Sequence, residues 1–160
     1  ISGGFYQEFP SSGDRIHYSA AFDTRQGMCM FDGIINAWNN SWSTYSSGIG
    51  NVGSPMQGVY EFRNGSDRIV SSMEFVQSHS AAALAGVINI HYWNGTSFVE
   101  VNYTSGYEFV TTTVNDVLTV TFDEVTSSQF RITVNNHSTN TSANLGIAQW
   151  KIMGKRRCSF

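Results

Sequence analysis

Apolar and polar side chains alternate along much of this chain with a period of two. Leu118, Val120 and Phe122 alternate with Thr119 and Thr121, and Phe130, Ile132 and Val134 with Arg131 and Thr133. A period of two places one set of side chains in a dry interior and the other in water, the pattern of a strand covered on one face. Less regular versions of it predict further strands over 15–20, 58–63, 68–77, 86–93, 97–103, 107–113 and 145–153. Turns rich in Gly, Ser and Asn separate these segments, the longest at 46–58 and 135–144. Asn94-Gly95, between Tyr92-Trp93 and Phe98, predicts a tight hairpin, because both residues tolerate positive φ. The run from Ser80 to Ala85 has room for one helical turn only. The expected fold is all-β, a jelly-roll sandwich of about eight antiparallel strands.

Composition narrows the picture. At 160 residues the chain holds one well-buried core and is short for two. It is 13% charged and 14% aromatic, the reverse of a disordered chain. The net charge is −3, and the one basic cluster, Lys155-Arg156-Arg157, lies at the end. Nucleic acid is therefore not an expected partner, since displacing its counterions takes a field of Lys and Arg. Membrane insertion is not expected either, because no apolar run approaches the ~20 residues a spanning helix needs. The chain divides into a lead-in over 1–14, a sandwich over 15–154, and a basic tail over 155–160 that is either solvated or a processing site.

Two features point outside the cell. Six Asn-x-Ser/Thr sequons occur, at Asn39, Asn64, Asn94, Asn102, Asn136 and Asn140, where so polar a composition would give about three by chance. The two cysteines, Cys29 and Cys158, are an even pair of the kind that bridges in secreted domains. Closing that loop would stabilise the fold by about 4 kcal/mol in the chain-entropy model. The alternatives are two separate thiols, or a Cys158 bonded to another chain. The chain opens with Ile1 and carries no basic segment followed by an apolar one. A removed leader and a fragment of something longer both fit.

Catalytic chemistry is not expected. His17, His79, His91 and His137 are dispersed, without zinc-ligand spacing. Asp123 and Glu124 are adjacent on a strand end, so alternation sends them to opposite faces and away from a shared glycosidic bond. Neither a phosphate-binding Gly loop nor a Gly-x-Ser-x-Gly elbow is present. No cofactor is expected beyond a structural Ca²⁺, to which Asp32 could offer an oxygen ligand; the alternative is an Asp that caps a turn.

Binding chemistry is better represented. A sugar ring lays its C–H face on an aromatic side chain while a few polar groups fix its orientation. Trp42 and Tyr45, in a polar segment, are candidate platforms. Trp93 is either a platform or part of its hairpin's packing. Trp38 and Trp150 are expected in the core, Trp150 in register with Ala148 and Ile152. Phe5, Tyr6 and Phe9 are expected to dock on this domain or on a neighbour.

The segment Met30-Phe31-Asp32-Gly33-Ile34-Ile35-Asn36-Ala37-Trp38 resembles the early Asp-Gly, short gap, Trp signature of the discoidin family, the coagulation-factor type C or galactose-binding-like jelly rolls. Phe130 to Val134 followed by Ile147 to Gly154 is similar to that family's closing strands, and Ile90 to Val101 to its central aromatic hairpin. The likeness covers about 15–154 and implies a binding module for sugars, lipids or protein surfaces. It also implies a terminal disulfide, which Cys158 fits while Cys29 lies unusually close to Asp32-Gly33. Sugar-binding members hold calcium with a carboxylate in the last strand, where this chain has Gln149, and the Arg-x-Asp motif of fucose-binding relatives is missing. The expected function is a secreted, non-catalytic carbohydrate-binding or adhesion module with a glycan or cell-surface ligand. The alternative is a subunit of an extracellular filament that binds copies of itself by adding Ile1–Pro10 to a neighbour's sheet edge.

Overall fold

The alternating segments become strands. The computed structural model describes residues 6–7, 14–18, 30–31, 42–43, 55–79, 83–138 and 145–156. Among them run β1 (Tyr6–Gln7), β2 (Arg15–Tyr18), β3 (Trp42–Ser43), β4 (Met56–Glu61), β5 (Arg68–Gln77), β6 (Ala85–Trp93), β7 (Phe98–Glu100), β8 (Val117–Ser127), β9 (Gln129–Asn136) and β10 (Gly146–Arg156). One sheet has the order β1-β10-β5-β8, with β3 also on β10; the other has the order β2-β4-β9-β6-β7. All pairings are antiparallel.

The inward positions of the two sheets meet in one core. Met56 and Tyr60 of β4, Ile88 and Ile90 of β6, and Phe130, Ile132 and Val134 of β9 face Val70, Met73 and Phe75 of β5, Val120 and Phe122 of β8, and Ile147, Trp150 and Ile152 of β10. Trp150 is fully buried at the centre. Its ring stacks on Phe75 at 6.3 Å and meets Tyr60 edge-on at 6.0 Å and Phe31 at 5.8 Å, so one side chain ties both sheets together. The indole N–H donates to Met73 Sδ at 3.3 Å, which answers the one polar group that burial would otherwise strand.

Strict alternation fails where pairing slips, and the described strands carry four such register shifts, one of them between Ala85 and Ile88 of β6. Ile147 and Trp150 are three residues apart yet both reach the core, because the pairing of β10 with β5 slips between Ile147 and Gln149. An extra residue there restores the phase. A second slip, between Met153 and Gly154, brings Gly154 against the Ile69 carbonyl, where any Cβ would overlap that oxygen. The third lies between Val70 and Ser72, opposite Asp123-Glu124 of β8. It leaves both carboxylates exposed: Asp123 accepts the Asn102 amide at 2.6 Å and Glu124 pairs with Lys155 at 3.8 Å.

Two expectations need correction. Residues 107–113 do not form a strand; only Glu108 bridges, to Val87 of β6. The 94–97 loop is a four-residue connection rather than a two-residue turn. Only Gly95 has positive φ, and Asn94 Oδ1 accepts the Thr96 and Ser97 N–H groups, so the side chain supplies the turn's bonds. Of the run from Ser80 to Ala85, residues 80–82 lie outside the described residues, while Leu84 is buried and Ala85 opens β6. Tyr6–Gln7 pairs with Gly154 and Met153 of this chain's own β10, the first of the two docking places expected for the lead-in. Phe5 and Phe9 lie outside the described residues.

Trp150→Ala is expected to lower unfolding free energy by about 3–5 kcal/mol in urea titrations. Gly154→Ala should lower it by about 1–3 kcal/mol through overlap. Gly106→Ala, whose Cβ would meet nothing within 4 Å, should stay within about 0.5 kcal/mol of the parent.

Candidate functional site

The strands sort the candidate aromatics to opposite ends of the sandwich. Trp42 pairs with Ile147, which pairs with Gln77 at one end of β5. The Trp93 carbonyl accepts the Ser127 hydroxyl at 2.7 Å, and Ser127 pairs with Arg68 at the other end. Ten residues of strand separate those ends, about 30 Å at 3.3 Å per residue. Trp42 and Trp93 cannot share one ligand. Tyr45, Asp32, Cys29 and Cys158 lie outside the described residues.

At the Trp93 end the aromatic groups serve the hairpin. Trp93 meets Phe98 edge-on at 5.2 Å, and the Arg131 guanidinium lies over the Phe98 ring at 4.8 Å. A cleft of about 540 Å³ lies nearby, lined by Asp14, Arg15, Glu61, Phe62, Asn64 and Gly65. The carboxylate of Asp14 is already engaged: Oδ2 accepts the Tyr60 hydroxyl at 2.7 Å and Oδ1 the Arg63 N–H at 2.8 Å. Asp14 pins the 63–65 turn to the core tyrosine.

The Trp42 end is richer in polar groups. Gln77, fully buried, donates to the Ala85 carbonyl at 2.8 Å and accepts the Ala85 N–H at 2.9 Å, closing the loop between β5 and β6. From this clamped base the chain presents His79, whose Nδ1 lies 2.9 Å from the Asn115 amide nitrogen. Thr111 donates to Asp116 close by. His79, held by Asn115, and the backbone of Trp42 thus lie at the same end of the sandwich.

A third feature interrupts the free edge of β6. The chain pairs with β6 at 98–101, leaves it, and returns at 107–109, where Tyr107 accepts the Ile88 N–H and Phe109 donates to Gly86. In the gap the Tyr103 phenol takes the place of a backbone carbonyl. It accepts the Ile90 N–H at 2.8 Å and donates to Glu100 Oε1 at 2.9 Å, which also accepts the Asn89 amide at 3.0 Å. The Tyr103 ring stacks on Tyr107 at 4.2 Å. Beside this notch lies a groove of about 470 Å³ lined by Val87, Asn89, Gly106, Tyr107, Glu108 and Val110. Tyr103 was legible as an aromatic near a strand end. Tyr107, Asn89 and Glu108 carried no separate signal, since they converge only because the 107–113 strand does not form.

Burial, reinforced by Arg131 and opposed by Glu100, lowers the His91 pKa, so this imidazole is neutral at pH 7. Among the described residues no group of three or more His, Cys, Asp or Glu side chains could hold a metal ion, and no helix is long and apolar enough to cross a membrane. Of the sequons, Asn64 and Asn94 are exposed in turns, Asn102 is exposed with its amide on Asp123, and Asn136 is partly buried. Asn39 and Asn140 lie outside the described residues.

No sequence-family model matches the chain, and no curated protein sequence does. Its architecture does find likenesses among solved structures. The family 32 carbohydrate-binding module of Clostridium perfringens NanJ, solved with galactose, superposes with a TM-score of 0.70 at 20% identity, covering 93% of this chain and 98% of that one. A second Clostridium perfringens module of that family, solved with GalNAc-β-1,3-galactose, gives 0.66 at 10% identity over 90% and 97%. The family 32 module of AlyQ, solved with 4,5-unsaturated mannuronic acid, gives 0.63 at 19% identity over 92% and 97%. The chain therefore has the discoidin-like galactose-binding fold, as its sequence resemblance implied. The structures it resembles are binding domains, some of them joined to enzymes.

Burial raises the Tyr103 pKa from 10.0 to about 12, with further upward pressure from Glu100. Between those values the folded phenol keeps a proton that the unfolded chain has lost. The contribution to stability is complete below pH 10 and falls as pH rises toward 12. Absorbance titration at 295 nm should show a late-titrating phenol that is lost in Tyr103→Phe. That variant should also lose about 1–3 kcal/mol by stranding the Ile90 N–H.

Proposed function

We propose that this chain is a secreted, non-catalytic carbohydrate-binding module whose principal glycan site is the Trp42 end of the sandwich. One observation carries the reading: the sandwich superposes over about nine-tenths of its length on modules solved with sugars. The physical support is that His79, on its clamped loop, and Trp42 of β3 are brought to the same end of the sandwich. Trp93, engaged with Phe98, belongs to the hairpin and not to the site.

A glycan array probed with the folded chain tests this. Binding to at least one sugar class is expected, released by the free sugar. Trp42→Ala and His79→Ala should weaken it about tenfold each, a loss of ~1.4 kcal/mol, and Trp93→Ala should leave affinity unchanged while lowering stability. An array without signal, or signal insensitive to Trp42 and His79, would discard the assignment.

Secretion rests on the sequons and the cysteine pair. Asn64 and Asn94, exposed on turns, are proposed as glycan acceptors. Material secreted from a eukaryotic host should shift in electrophoretic mobility on N-glycosidase treatment, with part of the shift lost in Asn64→Gln and part in Asn94→Gln.

A further inference from the structure

The groove beside the Tyr103 notch opens on the outer side of β6, away from the core. Ile88 and Ile90 point into the core, so Val87 and Asn89 point outward, and Glu108 faces the same way as its cross-strand partner Val87. Val110, 85% exposed, and Tyr107, 37% exposed, add apolar surface. At about 470 Å³ the groove falls within the range of about 300–1,000 Å³ of small-molecule sites.

Its lining is amphipathic in the way a sugar ring is. Valine methyl groups and a tyrosine edge suit C–H surface, and an amide and a carboxylate suit hydroxyls. These groups are held in place before any ligand arrives. Glu100 fixes the Asn89 amide, the Asn135 amide reaches Asn89 Oδ1 at 3.3 Å, and stacking on Tyr103 fixes Tyr107. The charge is also selective: Glu108 lines the groove, Glu100 stands at its margin, and no Lys or Arg is among the described lining residues. A carboxylate-bearing sugar would meet repulsion there.

We infer that this groove is a second glycan subsite, selective for uncharged hexose or N-acetylhexosamine rings, on the outer side of β6. The inference rests on the carbohydrate-binding reading and assigns it an additional contact. Two subsites on one small domain would let a single module grip a branched glycan or bridge two chains, with avidity above that of either contact.

The test is an amide-shift NMR titration of the full chain with methyl β-galactoside, methyl N-acetyl-β-glucosaminide and methyl β-glucuronide. One or both uncharged glycosides should shift Val87–Asn89 and Gly106–Val110, and the glucuronide should not. Tyr107→Ala should weaken those shifts about fivefold. Val110→Lys, at a position too exposed to disturb folding, should weaken them at least as much, and shifts around Gln77 and His79 should persist in both variants. Shifts confined to the Trp42 end would overturn the second subsite and leave the module reading standing. Equal response to the glucuronide would overturn the assigned sugar class. No shift anywhere, together with a silent glycan array, would remove both readings.

Discussion

The packing of Trp150 across the gap between the sheets is the contact on which the rest depends. It stands on β10, an inner strand of one sheet, and touches Tyr60 of the other and Phe31. Without it two five-stranded sheets would meet only through smaller side chains, and burial of that size contributes most of the folding free energy in a sandwich. The effect extends outward. Tyr60, fixed by Trp150 within the core, holds Asp14 through its hydroxyl, and Asp14 holds the 63–65 turn. The core therefore sets the shape of a surface cleft two links away.

Both proposed sugar contacts depend on this rigidity in the same manner. Gln77 is buried and pins the base of the loop that presents His79. Glu100 and Tyr103 pin Asn89 and Tyr107. In each case contacts within the chain, Gln77 on main chain and Glu100 and Tyr103 on side chains, order the binding groups before any ligand arrives. Weak sugar contacts benefit from that arrangement, because little ordering cost is left to offset the few hydrogen bonds gained.

Much of the scaffold was legible in the residues. The alternation at 118–122 and 130–134 marks β8 and β9, and Trp150 occupies the buried place expected for it. What local pattern could not convey is where pairing slips. Ile147 and Trp150 have the wrong parity for one face, and only the register shift between β10 and β5 reconciles them. The candidate sites were less legible for a related reason. Trp42 and Trp93 look equivalent as aromatic residues in polar surroundings, and the length of β5 alone reveals that they are at opposite poles. The Tyr107 groove is further removed from the sequence. Its residues read as a strand, and it exists because a phenol took up the bond that a strand would have made.

That phenol has an evolutionary corollary. A sheet margin with bare amides invites other chains to extend it, a hazard most proteins meet with more backbone or with charge. Here one side chain seals the Ile90 amide, while the next two residues, Thr104 and Ser105, bond the Thr121 backbone on β8, the end strand of the other sheet. One short connection therefore guards a margin of each sheet, and its sequence is constrained from both sides.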